Sequence, residues 1–382
     1  MRRALPVLLI ADILVAGCTS QPSAPASASA TPEPTELPAS ATAEPHPTVA
    51  WEAATVPASG QTSASLAVVP GGDGLVAIGF DGQFGSMVWT STDGREWTDL
   101  PQPGFENEGL TSVIQVDDGL LAVGRGDTLD VDTQLAAAWM SQDGTSWRRV
   151  EGGPEMRGQM IDVVATELGL FAVGGVPGDD AAGIWRSTDG EIWERTGGEF
   201  EHAFMWAIAE GGPGLVVSGW RRNPEPDLAV WTSADGEEWT LAPDPEGFEG
   251  FEGTDVIDYN GTLVMVGGSV FESEPRIWTS RDGVAWEVAD FSEDLVEAST
   301  TRMLVATPFG LLALGGRGMD GAAWISRDGH SWAPFGETIP NAHFTSAYLT
   351  DDTLIVPGAT QEGTLETGIE THAMIWIGSL GE

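Results

Sequence analysis

Residues 277–288 read IWTSRDGVAWEV, and the nine residues from Trp278 to Trp286 have five siblings in the chain. Trp89–Trp97, Trp139–Trp147, Trp185–Trp193, Trp231–Trp239 and Trp324–Trp332 all follow Trp-x-Ser-x-Asp-Gly-x-x-Trp. The leading tryptophans stand 46 to 50 residues apart. Upstream of each lies a second recurring word of the form Leu-x-x-x-Gly, as in Leu75–Gly79, Leu120–Gly124, Leu170–Gly174, Leu215–Gly219, Leu263–Gly267 and Leu311–Gly315. A short β-prone run, such as Ser112–Val116 or Asp162–Ala165, precedes that word. Each period therefore holds four short strands, a to d. The b runs are continuously apolar, as strands covered on both faces are.

A four-stranded unit repeated at this period predicts an all-β fold, a β-propeller of antiparallel blades. The ends set the blade count. Phe344–Leu349, Leu354–Gly358 and Ala373–Gly378 supply strands a, b and c of a seventh unit, with Trp376 in the leading-tryptophan place. No strand d follows. Val49–Ala54 has no a, b or c before it, yet matches strand d elsewhere. The reading is a seven-bladed propeller over residues 49–382, its ring closed by the N-terminal strand, which leaves no free sheet edge.

The Ser-x-Asp-Gly word falls at the c–d turn. Asp-Gly between strands is a hairpin signal, because glycine adopts positive φ at little steric cost. The Ser and Asp oxygens can accept the turn's own amides. Fourteen of the sixteen tryptophans occupy the two flanking places, where they can fill the space between blades. The word reads as a brace rather than a ligand site, since single carboxylates spaced around a rim do not converge.

These units resemble Asp-box repeats, also called bacterial neuraminidase repeats, known from sialidase-type and other β-propellers. The family's usual word is one residue longer between Asp and Gly. The resemblance implies the fold and, at its sharpest, an exo-acting glycoside hydrolase of sialidase-like type. That activity implies a Phe/Tyr-Arg-Ile-Pro start, an arginine triad and a tyrosine–glutamate pair. Here Pro275-Arg276-Ile277-Trp278 holds only Arg-Ile, in the fifth unit, and only Tyr259 and Tyr348 could serve as the nucleophile.

The 382 residues include 58 Asp+Glu against 16 basic residues, all arginine, for a formal net charge of −42. Such a surface repels nucleic acid and anionic sugars. The one cysteine, Cys18, excludes an intramolecular disulfide. Met1-Arg2-Arg3, the mostly apolar Ala4–Ala16 (interrupted by Asp12) and Val15-Ala16-Gly17-Cys18 resemble a bacterial lipoprotein signal. That implies cleavage of residues 1–17 and a lipid on Cys18. The segment is too short to span a bilayer. Residues 18–48 are rich in Ser, Ala, Pro and Thr and are expected to form a disordered tether of roughly 30 Å. The expected location is the cell envelope, on the outer side of the cytoplasmic membrane or the periplasmic face, with the membrane contacted through the lipid alone.

In each blade the a–b and c–d turns share one face, here the box face, and the b–c and d–a connections share the other, the loop face. The tether joins at the box face. The loops of the opposite face vary and carry carboxylates, among them Glu106, Glu108, Asp127, Asp130, Asp132, Asp179, Asp180, Glu246, Glu249, Glu252, Glu293 and Asp294. They include Arg221–Asp227, Asp290–Ser299 and Gln361–His372. Counting back from the strand-b leucine aligns Ser112, Asp162, Trp206, Asp255, Met303 and Ser346 near the channel mouth, with Arg302 adjacent. Asp162, Trp206, Asp255 and Arg302 form one candidate ligand site; Trp220 with Arg221-Arg222 forms a second. Asp127, Asp130 and Asp132 could wrap calcium, and His343 with His372 could hold a transition metal. No nucleotide, phosphate or Cys/His metal motif is present, so no cofactor is expected. The favoured function is a noncatalytic, monomeric surface lipoprotein binding a protein, peptide or glycan. A scaffold role for the same surface is kept beside it. The alternative is an exo-acting glycoside hydrolase of sialidase-like type, with a different two-carboxylate hydrolase through Asp162 and Asp255 a further reading.

Overall fold

The computed structural model describes residues 48–381 apart from segments 58–63, 81–84, 101–104, 106–107, 127–133, 151–155, 177–180, 199, 223–224, 244–247, 270–274, 292–298, 351–352 and 365–367. The leader, Cys18 and residues 19–47 lie outside the described residues, as do Asp127, Asp130 and Asp132.

Seven antiparallel sheets form seven blades. Blades 1 to 5 each run a-b-c-d in chain order. In the third, these strands are Gln159–Thr166, Gly169–Val176, Ala181–Ser187 and Glu194–Arg195. Blade 6 has an added fifth strand, Asp290–Phe291, which pairs in parallel with Ser331–Pro334, so the segment expected as a loop begins by extending this sheet. Blade 7 is completed by the N-terminal strand Thr48–Ala53, antiparallel to Gly368–Gly381 with Trp51 opposite Gly378. The closure expected from the sequence is thus present.

The packing follows the repeat. Each leading tryptophan lies in a separate apolar cluster shared with the preceding blade. Trp139 packs with Val76, Ile78 and Val88 of blade 1, and Trp278 with Val216, Leu228 and Val230 of blade 4. Trp89 of blade 1 packs with Ile355, Ile375 and Ile377 of blade 7, which closes the circle. Trp89, Trp185 and Trp278 are fully buried. These flat side chains fill the wedge between twisted sheets, each adding a large apolar area to a seam.

The Ser-x-Asp-Gly turns are closed circuits. In the opening stretch, Ser280 Oγ accepts the Gly283 amide at 3.0 Å and donates to Asp282 Oδ1 at 3.1 Å. Asp282 Oδ1 accepts the Val284 and Ala285 amides at 2.9 and 2.8 Å. Trp286 Nε1 donates to the Gly283 carbonyl at 3.0 Å, and Gly283 has φ of 69°. The same Ser and Asp bonds recur in the other five copies. Only the indole of Trp239 lacks the last bond among the described residues. Amides of Val284 and Ala285 hold the Asp282 carboxyl below the ordinary carboxylate range, and the other five box aspartates shift the same way. With the Ser hydroxyl and the Asp Oδ1 consumed by the turn's own amides, the word is a brace.

The glycine of Leu-x-x-x-Gly also has a local cause. In blades 1 to 6 the a–b pairing is broken by a bulge, with one extra residue on strand a. There the strand-a carbonyl swings to where a β-carbon on strand b would sit. A Cβ on Gly267 would lie 1.9 Å from the Glu252 oxygen, and one on Gly174 would lie 2.1 Å from that of Gln159. Glycine is required for this close approach.

Two further expectations change in blade 7. Strand a is not continuous over Phe344–Leu349 but splits into Ala342–Phe344 and Tyr348–Leu349. The gap faces Pro357, which has no N–H for a ladder. The Gln361–His372 segment is mostly hairpin, with strands Thr353–Thr364 and Gly368–Gly381 pairing out to Thr364 and Gly368.

Candidate functional site

The mouth of the channel is built from the innermost strands, whose inward edges have no strand to pair with. Asp162 and Asp255 occupy equivalent places, opposite Val173 and Val266. Each uses a carboxylate oxygen to accept an amide of the next blade's strand a. Asp162 Oδ2 takes the Ile208 amide at 3.1 Å, and Asp255 Oδ2 takes the Leu304 amide at 2.7 Å. Asp162 Oδ1 also accepts Ser112 Oγ of blade 2 at 3.1 Å, so this one side chain ties three blades. Asp255 Oδ1 accepts its own strand's Val256 amide at 2.8 Å. Thr111 and Thr254 make reciprocal ties, donating to the carbonyls of Met160 and Arg302 at 2.8 and 3.1 Å.

Burial dominates the electrostatics here. It pushes the Asp162 carboxyl above the ordinary carboxylate range, against the amides of Ile208 and Val163 and the Ser112 hydroxyl. Burial, opposed by the Leu304 amide and reinforced by the charge of Asp162, pushes Asp255 up to about 7. The two carboxylates therefore feel each other, as an acid–base pair would. Both, however, are already spent as acceptors for backbone amides.

The register corrects one alignment. Ala207, opposite Ser218, holds the place of Asp162 in blade 4, and Trp206 is the extra residue of the bulge. Trp206 therefore corresponds to Thr111, Thr254 and Arg302, one position earlier than Asp162 and Asp255. The side chains grouped as one site fall into two rings: carboxylate clamps, and a rim of bulge residues above them. Ser346 lies in the strand break of blade 7. Met303 is buried in the seam between blades 6 and 7.

The second cluster keeps Trp220 and Arg222 together and separates Arg221 from them. Strand alternation puts Arg221 on the opposite face of the sheet from Trp220. Arg222, two residues on from Trp220, returns to its side, with the guanidinium 5.6 Å from the Trp220 ring. Phe204 pairs directly with Trp220 and stacks beside it, ring centroids 6.3 Å apart. Its other neighbour is Trp206, at 4.6 Å. Trp206 Nε1 donates to Glu252 Oε2 of blade 5 at 3.2 Å. Trp206 and Trp220, assigned to separate candidate sites by sequence, are thus joined through Phe204. Phe204 was not foreseen, because a lone aromatic on a strand carries no signal of its own.

The other expectations resolve as follows. Glu108 lies in the connection before Gly109–Val116 but is buried, accepting Trp139 Nε1 at 3.0 Å and paired with Arg149 at 3.2 Å. His343 lies opposite Ala359 and His372 opposite Thr360, neighbours on one strand, so the two histidines leave opposite faces and cannot share a metal. Among the described residues no three His, Cys, Asp or Glu side chains gather as a metal set. Arg276 lies 4.0 Å over the Phe251 ring. Tyr259 packs in the seam between blades 5 and 6, and Tyr348 in that between blades 7 and 1, so neither is presented at the mouth. Glu106, Asp179, Asp180, Glu246, Glu293 and Asp294 lie outside the described residues. On the box face, clefts of about 880 and 370 Å³ lie between blades 2 and 3 and between blades 1 and 2. Turn residues such as Asp117, Asp118 and Glu167 line the larger.

The chain is similar in fold to virginiamycin B lyase from Staphylococcus aureus. The two share a TM-score of 0.57 at 10% identity, over 87% of this chain and 100% of that one. A protein from Lactobacillus plantarum gives 0.53 at 11% identity, over 84% and 100%. At these identities the likeness is one of fold. No family model and no curated protein matches the chain.

Proposed function

We propose that the protein is a lipid-anchored, monomeric envelope protein built on Asp-box-type repeats, whose loop rim binds a protein, peptide or glycan without catalysis. The observation that carries this reading is the engagement of both mouth carboxylates with backbone amides across the blade seams. A general acid must offer its proton to a substrate, and a nucleophile must offer a free lone pair. Here each oxygen of both carboxylates already accepts a hydrogen bond within the ring, which favours bracing over chemistry. The one observation favouring hydrolysis is Asp255, held at about 7 by burial, with the charge of Asp162 two blades away adding to it.

Incubating the full chain with a fluorogenic sialoside and a panel of aryl glycosides separates the two readings. The binding reading expects no turnover above buffer. Turnover abolished by Asp162→Asn or Asp255→Asn would overturn it.

The anchor rests on the residues before and including Cys18 and has a separate test. Cys18→Ser in the full chain is expected to move the protein from the membrane pellet to the soluble fraction. Unchanged partitioning would remove the lipid from the account.

A further inference from the structure

Fourteen tryptophans serve the repeat, and the structure gathers the remaining two, Trp206 and Trp220, on either side of Phe204 at the loop rim of blade 4. Phe204 itself rests on Gly175 of blade 3, where a β-carbon would lie 2.4 Å from the ring. The cluster thus reaches from blade 3 to Glu252 of blade 5 and is fixed on strands rather than on loop tips. Its burial differs from that of the repeat tryptophans. Trp89, Trp185 and Trp278 are sealed from solvent, whereas Phe204, Trp206 and Trp220 are half-buried and Arg222 is exposed. Packing alone would favour smaller or fully covered side chains at such a rim.

We propose that Phe204, Trp206, Trp220, Arg222 and Glu252 form a binding site for a neutral saccharide. This rests on the binding reading above and names its ligand class. A pyranose ring has one face of C–H groups, which packs on an indole, and a circumference of hydroxyls, which need fixed polar partners. Trp206 and Trp220 supply the first, and the Arg222 guanidinium and Glu252 carboxylate flank them for the second. Charge narrows the class further. An anionic sugar would meet the field of a chain with net charge −42. A cationic ligand would meet Arg222 on the Trp220 ring. Arg222 and Glu252 bring both a donor and an acceptor to the patch, which suits a polyhydroxyl ligand.

The test uses the full chain in detergent. Methyl glycosides of glucose, galactose, mannose, fucose and N-acetylglucosamine, with their β-linked disaccharides, are screened by saturation-transfer NMR. At least one is expected to bind with its ring C–H protons saturated most strongly. Trp206→Ala and Trp220→Ala are each expected to weaken it on the order of tenfold or more. Arg222→Gln, on an exposed side chain that cannot disturb the core, should weaken it severalfold with an unchanged melting temperature. Absence of binding by every neutral glycoside, or undiminished affinity in all three variants, would overturn the proposal. A peptide ligand insensitive to Trp220→Ala would overturn the saccharide site while leaving the binding module. Cleavage of a glycoside whose affinity depends on Trp220 would do the reverse.

Discussion

Deleting Thr48–Ala53 from the full chain is expected to lower the melting temperature by roughly 5–10 °C and to promote aggregation. Six residue pairs join this strand to the last strand of the chain. Val49 is buried among Trp376, Phe344 and Leu354, and Trp51 lies tilted against Phe344 with ring centroids 5.8 Å apart. The fit is close enough that a β-carbon on Gly378 would stand 2.8 Å from Val49 and 2.9 Å from Trp51. Losing one aliphatic and one aromatic contact set costs about 5 kcal/mol, and a domain this size changes by about 0.7 kcal/mol per degree. The deletion also bares the edge of a 14-residue strand, a template for pairing between molecules. Removing residues 19–44, which precede the compact unit beginning at Pro45, should leave the melting temperature unchanged. Thermal unfolding of the two deletions side by side checks this, and equal melting temperatures would mean the ring does not depend on its closing strand.

Asp255→Asn is expected to stabilise the protein at pH 8 by about 1 kcal/mol and to destabilise it by about 1 kcal/mol at pH 4.5. The sign follows from the direction of the shift. Burial raises the folded-state value to about 7, above the ordinary carboxylate value in the unfolded chain. Between about pH 4 and 7 the folded protein holds a proton that the unfolded chain has released, so stability falls as pH rises through that window and is flat above it. Three pKa units would give about 4 kcal/mol; Asp255 is partly accessible to solvent, so about half is taken. Asparagine is neutral throughout and keeps an oxygen for the Leu304 amide, while its NH2 loses the Val256 bond that Oδ1 accepts, a cost of about 1 kcal/mol to set against the roughly 2 gained at pH 8. Asp255→Ala loses that acceptor and should be destabilised at both pH values by about 1–3 kcal/mol. The six box aspartates act in the opposite direction. Their folded-state values are lowered, so their contribution is present above the ordinary carboxylate value and lost as pH falls through the lower one. Stability should therefore peak in the mildly acidic range, about pH 4–5. Urea unfolding at several pH values, comparing each variant with wild type, isolates the Asp255 contribution from the general repulsion of an acidic chain.

The ring was legible in the sequence because its information is local and periodic. Trp278, Asp282, Gly283 and Trp286 act within one hairpin, and the hydrogen bonds that define it span three residues or fewer. The split seventh blade was legible for the same reason, Val49–Ala54 being a strand d without its own a, b and c. The site was less legible. Counting from the strand-b leucine holds in the other blades, where the aligned residue stands eight positions before it, but Trp206 stands nine before Leu215 and the eighth is Ala207. The clue was present as the invariant glycine of Leu-x-x-x-Gly, which marks where the strand-a carbonyl intrudes. Adjacency grouped both Arg221 and Arg222 with Trp220, where period-two alternation selects Arg222 alone. The clamps formed by Asp162 and Asp255 were beyond sequence reading, because their partners are main-chain amides of another blade, and any residue supplies those.

The account turns on whether the mouth carboxylates hold the ring or perform chemistry, and one paired measurement on Asp255→Asn at pH 8 decides it. Unfolding free energy and hydrolysis of the fluorogenic glycoside panel are read on the same preparation as wild type. A bracing carboxylate predicts a more stable variant and no hydrolysis by either protein. Hydrolysis by wild type that disappears in the variant, with stability unchanged, would contradict it.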